Sequence, residues 1–324
     1  MDAQSGSFAS PPRISNVFLS SYGLRSGWRF LLWAAIAAIF IAGGFRAFHG
    51  ILRRSTSPPV QLLLIESLQF AGAFIATWIL TRFVDRKPLT SFGLALNGVG
   101  RRFGIGLLCG FVSLSFLVGL LALSHVFELD GLAIHGLAVL NNAALWALVF
   151  LLVGMSEELI TRGYLLFSLT QGIGFWPAAV LLSALFAAGH IGNPGENAIG
   201  VTAAGVIGLV LAWSLRWTGS LWWAIGFHAA WDWAESFFYG VPDSGGLAPG
   251  HLFLSTHHGP EWLSGGSAGP EGSALVFLVI GVLSVVLSRT FPSTPPSELH
   301  RLNEKAQAGD ASSPAVTEGS LPPA

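Results

Sequence analysis

About eight stretches of this chain are apolar over a length that suits a bilayer. They run approximately Arg29–Phe45, Val60–Thr81, Phe103–His125, Leu137–Met155, Trp176–His190, Ala198–Leu215, Ser220–Phe238 and Ala274–Ser288. A helix needs about 20 largely apolar residues to cross the hydrocarbon. In that medium backbone N–H and C=O groups must be paired within the protein, so such stretches are restricted to helices. Composition agrees: 52% of residues are hydrophobic and only 10% charged, with mean hydropathy +0.63, whereas a soluble globular chain carries about 25% charged residues. The expected fold is an all-α membrane bundle of about eight transmembrane helices.

Flanking segments divide the 324 residues into three parts. Residues 1–27 are polar and end in no small-residue cleavage site, so a removable signal peptide is not expected. Residues 28–291 form the membrane domain. Residues 292–324, rich in Pro, Ser, Ala and charge, are expected to be a disordered tail. A net charge of -1 without a dense Lys/Arg run gives no footprint for nucleic acid. The single cysteine, Cys109, excludes an internal disulfide and a cysteine metal cluster. Gly106 with Gly110, and Ala204 with Gly208, have the spacing that lets helix backbones approach.

Positive charge orients the bundle. Arg13, Arg25, Arg29, Arg82, Arg86, Lys87, Arg101, Arg102, Arg289, Arg301 and Lys305 all fall on one side if both termini are cytoplasmic. The third-to-fourth and seventh-to-eighth loops lack Lys and Arg, as external loops should. Arg46, Arg53 and Arg54 dissent, and a re-entrant first span would accommodate them.

Against this apolar background Glu157, Glu158 and Arg162 stand out at the end of the fourth span. An ionised side chain near the bilayer centre costs at least about 2.5 kcal/mol, so such groups are functional by default. His190 closes the fifth span, and His228 and Asp232 lie within the seventh. Residues four apart share a helix face. Glu158 therefore pairs with Arg162, and His228 with Asp232, while Glu157 is turned about 100° from Glu158. That leaves Glu157 as the available carboxylate. Singly, these groups have plain structural readings: an ion pair between spans, a helix-end histidine bonded to a carbonyl, a bond within one helix. Together they supply a base, possible metal ligands and oxyanion donors for activating water.

Glu157-Glu158-Leu-Ile-Thr-Arg162, Phe186-Ala-Ala-Gly-His190 and His228-Ala-Ala-Trp-Asp232, in that order, resemble the EExxxR, FxxxH and HxxxN/D motifs of the CPBP family. These are the CAAX-processing and bacteriocin-processing intramembrane proteases, also called the Abi or type II CAAX endopeptidase family. The likeness covers about residues 137–240. It implies a catalytic cavity among core helices four to seven, and cleavage of peptide bonds in membrane-associated or lipidated substrates. Glu157 would then activate water with help from His190, His228 and the residue at Asp232 would stabilise the oxyanion, and Glu158 with Arg162 would organise the site. Eukaryotic members carry Asn at the position of Asp232, and a carboxylate cannot donate unless protonated. Asp232 could instead orient His228, or stand behind it as the carboxylate partner of a metal-ligating histidine. The implied setting is a bacterial plasma membrane with both termini cytoplasmic; the partners are the lipid bilayer and a membrane-associated peptide or protein, with no nucleic acid.

Glu157, His190 and His228 have the composition of a His₂Glu site for a divalent metal, zinc being expected. The HExxH pair of soluble zinc proteases is absent, and a metal-free glutamate mechanism uses the same residues. Counted along their helices, His190 and His228 lie at different depths, about 21 Å and 12 Å from their helix starts. A hydrated cavity is expected to reach them, opening to the cytoplasm. The segment Gly240–Gly272, with His251, His257 and His258, is expected to be an external loop or lid rather than a metal loop. The rival function is a proton-coupled transporter using intramembrane Glu, His and Asp, and Glu66 and Gln69 fit it as easily as they fit a protease.

Overall fold

The spans expected from hydropathy are helices in a computed structural model that describes residues 15–20, 23–54, 57–290, 299 and 301. They are α1 (Ser26–Arg54), α2 (Pro58–Ile79), α3 (Val99–Leu123), α4 (Leu137–Arg162), α5 (Tyr164–Ile173), α6 (Phe175–His190), α7 (Ala198–Thr218), α8 (Leu221–Asp232) and α9 (Val276–Thr290). Five segments are long and apolar enough to cross a membrane: Ser26–Ile51, Pro58–Asp85, Val99–Leu123, Leu137–Ile173 and Ala198–Thr218. α6 and α9 are shorter apolar helices. The expected disordered tail lies outside the described residues, apart from Leu299 and Arg301.

Two departures from the expected spans have local causes. The fourth apolar run breaks at Gly163, where a Cβ would sit 2.4 Å from the Leu159 carbonyl oxygen, and α5 continues the chain as a separate helix. α1 is one continuous helix of 29 residues from Ser26 to Arg54, with Arg46 inside it and Arg53 and Arg54 at its end, so it contains no break for a re-entrant turn. α2 and α8 each continue into a π-helical turn, Leu80–Asp85 and Trp233–Tyr239.

Small residues set the closest helix contacts. A Cβ on Gly106 would lie 2.2 Å from the Trp223 carbonyl oxygen, one on Gly110 2.1 Å from that of Phe227, and one on Gly226 2.4 Å from that of Phe103. The backbones of α3 and α8 therefore touch, as the Gly106–Gly110 spacing led one to expect. Gly154 brings α4 against α8 in the same way, with a Cβ meeting the Ile225 carbonyl oxygen at 3.1 Å. α8 is thus clamped on two sides.

The ends of the bundle differ in chemistry. At one end Arg29 pairs with Asp85 at 2.7 Å, Tyr164 donates to the same carboxylate at 2.6 Å, and Arg29 donates to Gln171 at 2.8 Å. Here too the Leu221 amide bonds the Gly93 carbonyl at 2.9 Å. At the other end the strand Phe127–Leu132 pairs antiparallel with Phe253–His257, joining the third-to-fourth loop to the seventh-to-eighth. Asn197 caps α7, accepting from the Ile199 and Gly200 amides at 2.9 Å, and its amide group donates to the carbonyls of Gly265 and Gly272. Gly240–Gly272 is accordingly tied down by a strand and a cap.

Candidate active site

One cavity of about 330 Å³ gathers the polar groups of the spans. Glu66 from α2, Glu157 from α4, Phe186 and His190 from α6, and His228 and Asp232 from α8 all line it. His190 and His228 reach one cavity despite the unequal counts along their helices. The loop residues Asn193, Asp243, Ser244 and Glu271 complete the wall. All of these loops leave the bundle at the end opposite Arg29 and Asp85. The cavity therefore takes its loop wall from the end of the bundle where α1 finishes in Arg53 and Arg54.

The charged motif is built on α4. Arg162 donates to Glu158 Oε1 at 2.7 Å, with side-chain exposures of 2% and 0%. A buried pair of this kind survives only with further hydrogen bonds. His228 supplies one, its Nδ1–H donating to the same Oε1 at 3.0 Å. Gly208 leaves room for the arginine: a Cβ there would lie 2.8 Å from Nη2. The guanidinium also stacks over the Phe186 ring, 4.6 Å from its centroid.

Glu157 is 32% exposed in its side chain, and its Oε2 lies 3.5 Å from His228 Nε2. Asp232 Oδ2 lies 3.6 Å from the same nitrogen. The adjacent glutamates therefore address opposite nitrogens of one imidazole rather than unrelated surroundings. His190 donates from Nδ1 to the carbonyl of Phe186 at 2.8 Å, which in the neutral ring leaves Nε2 as an acceptor. The Phe186 ring meets His190 edge-on at 4.7 Å and His228 at 6.2 Å between centroids, and so spaces the two imidazoles.

Ser156 and Glu66 were not foreseen as a unit. Ser156 donates to Glu66 Oε2 at 2.8 Å and Gln69 to Oε1 at 2.7 Å. The pair fixes α2 to α4 one residue before Glu157. Glu66 and Gln69 were visible as polar residues of the second span, three apart on one helix face.

The ligand set expected for zinc does not come together. Two ligands of a tetrahedral zinc ion stand about 3.4 Å apart for bonds near 2.1 Å, and Glu157 Oε2 with His228 Nε2 meets that spacing. His190 does not join them. Among the described residues, the His, Cys, Asp or Glu trio whose donor atoms lie within 4.8 Å of one another is Glu235, Asp243 and Glu271. Glu235 lies on the π turn after α8; Asp243 and Glu271 come from the long loop. The histidines of that loop take no part: His251 bonds the Ala248 carbonyl, and His258 is an exposed neighbour of Glu128 at 4.0 Å. Burial, with Glu271 beside it, pushes the Asp243 carboxyl up to about 8, and burial also raises Glu271.

Residues 139–234 match the family model described as Rce1-like, type II CAAX prenyl endopeptidase. The matched stretch contains all three motifs and bears out the resemblance read from them. No curated protein and no solved structure matches the chain.

Proposed function

Taking residues 139–234 as an Rce1-like core of the CAAX endopeptidase family, we propose that the chain hydrolyses peptide bonds of membrane-associated, lipidated polypeptides with water activated by Glu157. The observation that carries this reading is the meeting of Glu157, His190 and His228 on one cavity wall. The cavity is recessed among α2, α4, α6, α7 and α8, a setting in which a carboxylate and an imidazole act on water more strongly than in bulk solvent.

In this scheme a water molecule lies between Glu157 and His190. Glu157 takes its proton as the oxygen adds to the scissile carbonyl carbon. The negative charge that develops on the carbonyl oxygen is met by the Nε2–H of His228. The carbon–nitrogen bond then breaks, and the proton held by Glu157 passes to the departing amine. The products are a carboxylic acid and an amine, one water having been consumed.

Glu158, kept charged by Arg162, holds Nδ1 of His228 protonated and fixes the plane of the ring. Asp232 accepts but cannot donate while ionised. Its position 3.6 Å from Nε2 supports a positioning role, favouring the doubly protonated ring. Because His190 stands apart from the other two expected ligands, no step is routed through a metal ion at these residues.

Charge bias supports cytoplasmic termini. With that orientation the cavity belongs to the outer half of the membrane. The decisive experiment is cleavage of a lipidated C-terminal peptide by the purified protein in bilayer discs. Wild type should release the terminal fragment and Glu157→Gln should not; equal release by both would overturn the assignment.

A further inference from the structure

The wall of the cavity holds a second carboxylate group that hydrolysis leaves unused. Glu235, Asp243 and Glu271 place one oxygen each within 4.8 Å of one another. Glu235 is wholly buried, and neither of its carboxylate oxygens has a hydrogen-bond partner among the described residues. An unpaired buried carboxylate is among the costliest arrangements a protein can hold, and here two more stand beside it. Between Arg216 and Arg289 the chain contains neither Lys nor Arg, so the basic side chains of this part of the sequence are histidines, and the His228 ring is already held by Glu158.

The surroundings are arranged as they are around bound cations. Trp231 donates from Nε1 to Glu271 Oε1 at 2.7 Å, Ser244 donates to its Oε2 at 3.2 Å, and Ser236 donates to Asp243 Oδ2 at 3.1 Å. Each donor fixes one ligand and leaves the other lone pairs directed elsewhere, which is how residues around a metal orient its carboxylates. Gly269 has no side chain to occupy the space; a Cβ there would lie 3.3 Å from Glu235 Oε1 and 1.9 Å from the Pro242 carbonyl oxygen.

We propose that Glu235, Asp243 and Glu271 bind a hard divalent cation of the calcium and magnesium class, which fastens the loop Gly240–Gly272 to the end of α8. Donors that are all oxygen, with no sulfur or imidazole, favour such ions over zinc. The site is separate from Glu157 and His228 in its ligands but shares their cavity through Asp243 and Glu271. Its effect is structural: it closes the cavity wall from the loop side.

The test uses the full chain, stripped with chelator and returned to chelator-free detergent buffer. Terbium is the probe, because Trp231 stands in hydrogen-bond contact with a ligand and can sensitise its emission. Saturable emission that calcium or magnesium displaces, weakened at least tenfold in both Glu235→Gln and Asp243→Asn, is expected. Zinc should compete poorly. Calcium should also slow proteolysis within residues 240–272 of wild type. Either no saturable binding to well-folded wild type, or undiminished binding in Asp243→Asn, whose loop position spares the helical core, overturns the proposal. In that case the three carboxyls are carried protonated. Binding is read without substrate, so a failure of peptide cleavage leaves this result standing, and the reverse also holds.

Discussion

His228 Nδ1 meets Glu158 Oε1 at 3.0 Å, joining α8 to α4 across 70 residues of sequence. The contact aims the other face of the imidazole, Nε2, at Glu157 and Asp232. One buried carboxylate thereby fixes the orientation of the ring, and the half-buried one, Glu157, lines the cavity.

Removing the base should separate chemistry from folding. Glu157→Gln keeps the side-chain volume and is expected to lower the single-turnover cleavage rate by about 10²- to 10⁴-fold, the usual worth of a general base. His190→Ala should fall in the same range. Thermal unfolding of both proteins in detergent should stay close to wild type.

Arg162→Met tests the buried pair. It strands the Glu158 charge where exposure is 0%, and breaking such a pair by removing one partner costs about 3–5 kcal/mol. A clear drop in unfolding temperature is expected. The double variant Arg162→Met with Glu158→Gln should recover part of that loss, because no uncompensated charge remains; no recovery would mean the arginine acts chiefly through its stack on Phe186.

Gly110→Ala should damage the site from a distance. The new Cβ would fall 2.1 Å from the carbonyl oxygen of Phe227, the residue before His228, so α3 and α8 must move apart. Gly119→Ala, on the same helix with open space around it, is the control and should be silent. Comparison of cleavage rates for the two variants decides.

Sidedness is set by the position of the cavity. In a Cys109→Ala background, Leu247→Cys in the exposed part of the long loop should react with an impermeant maleimide added outside intact cells. Asn97→Cys, at the arginine-rich end, should react only after lysis. The opposite pattern would put the cavity on the cytoplasmic side.

The i, i+4 rule carried much of this site, because within one helix sequence spacing is geometry. Glu158 with Arg162, and His228 with Asp232, are near one another as that rule requires. Apolar run length located the spans for a similar reason, each helix having to satisfy its own backbone. What spacing within a helix could not show was the meeting of Glu157 and Glu158 at one imidazole. Their separation around α4 holds, but a ring arriving from α8 is wide enough to span it. Glu235 offered a signal that went unread: it comes after His228 and Asp232 at i+7 and i+3, the continuation of the same stripe. Asp243 and Glu271 had no periodic signal, since loop residues are placed by Asn197 and the strand pair rather than by a repeat.

The π turn Trp233–Tyr239 has a consequence for kinship among such chains. An i→i+5 turn holds one more residue than an α turn, so deleting a single residue there would restore α geometry and rotate the downstream residues by about 100°. Glu235 would then point away from Asp243 and Glu271. In an alignment of relatives, a one-residue gap in this segment should be inherited together with the loss of those two acids, a correlated mark that genomes alone can reveal.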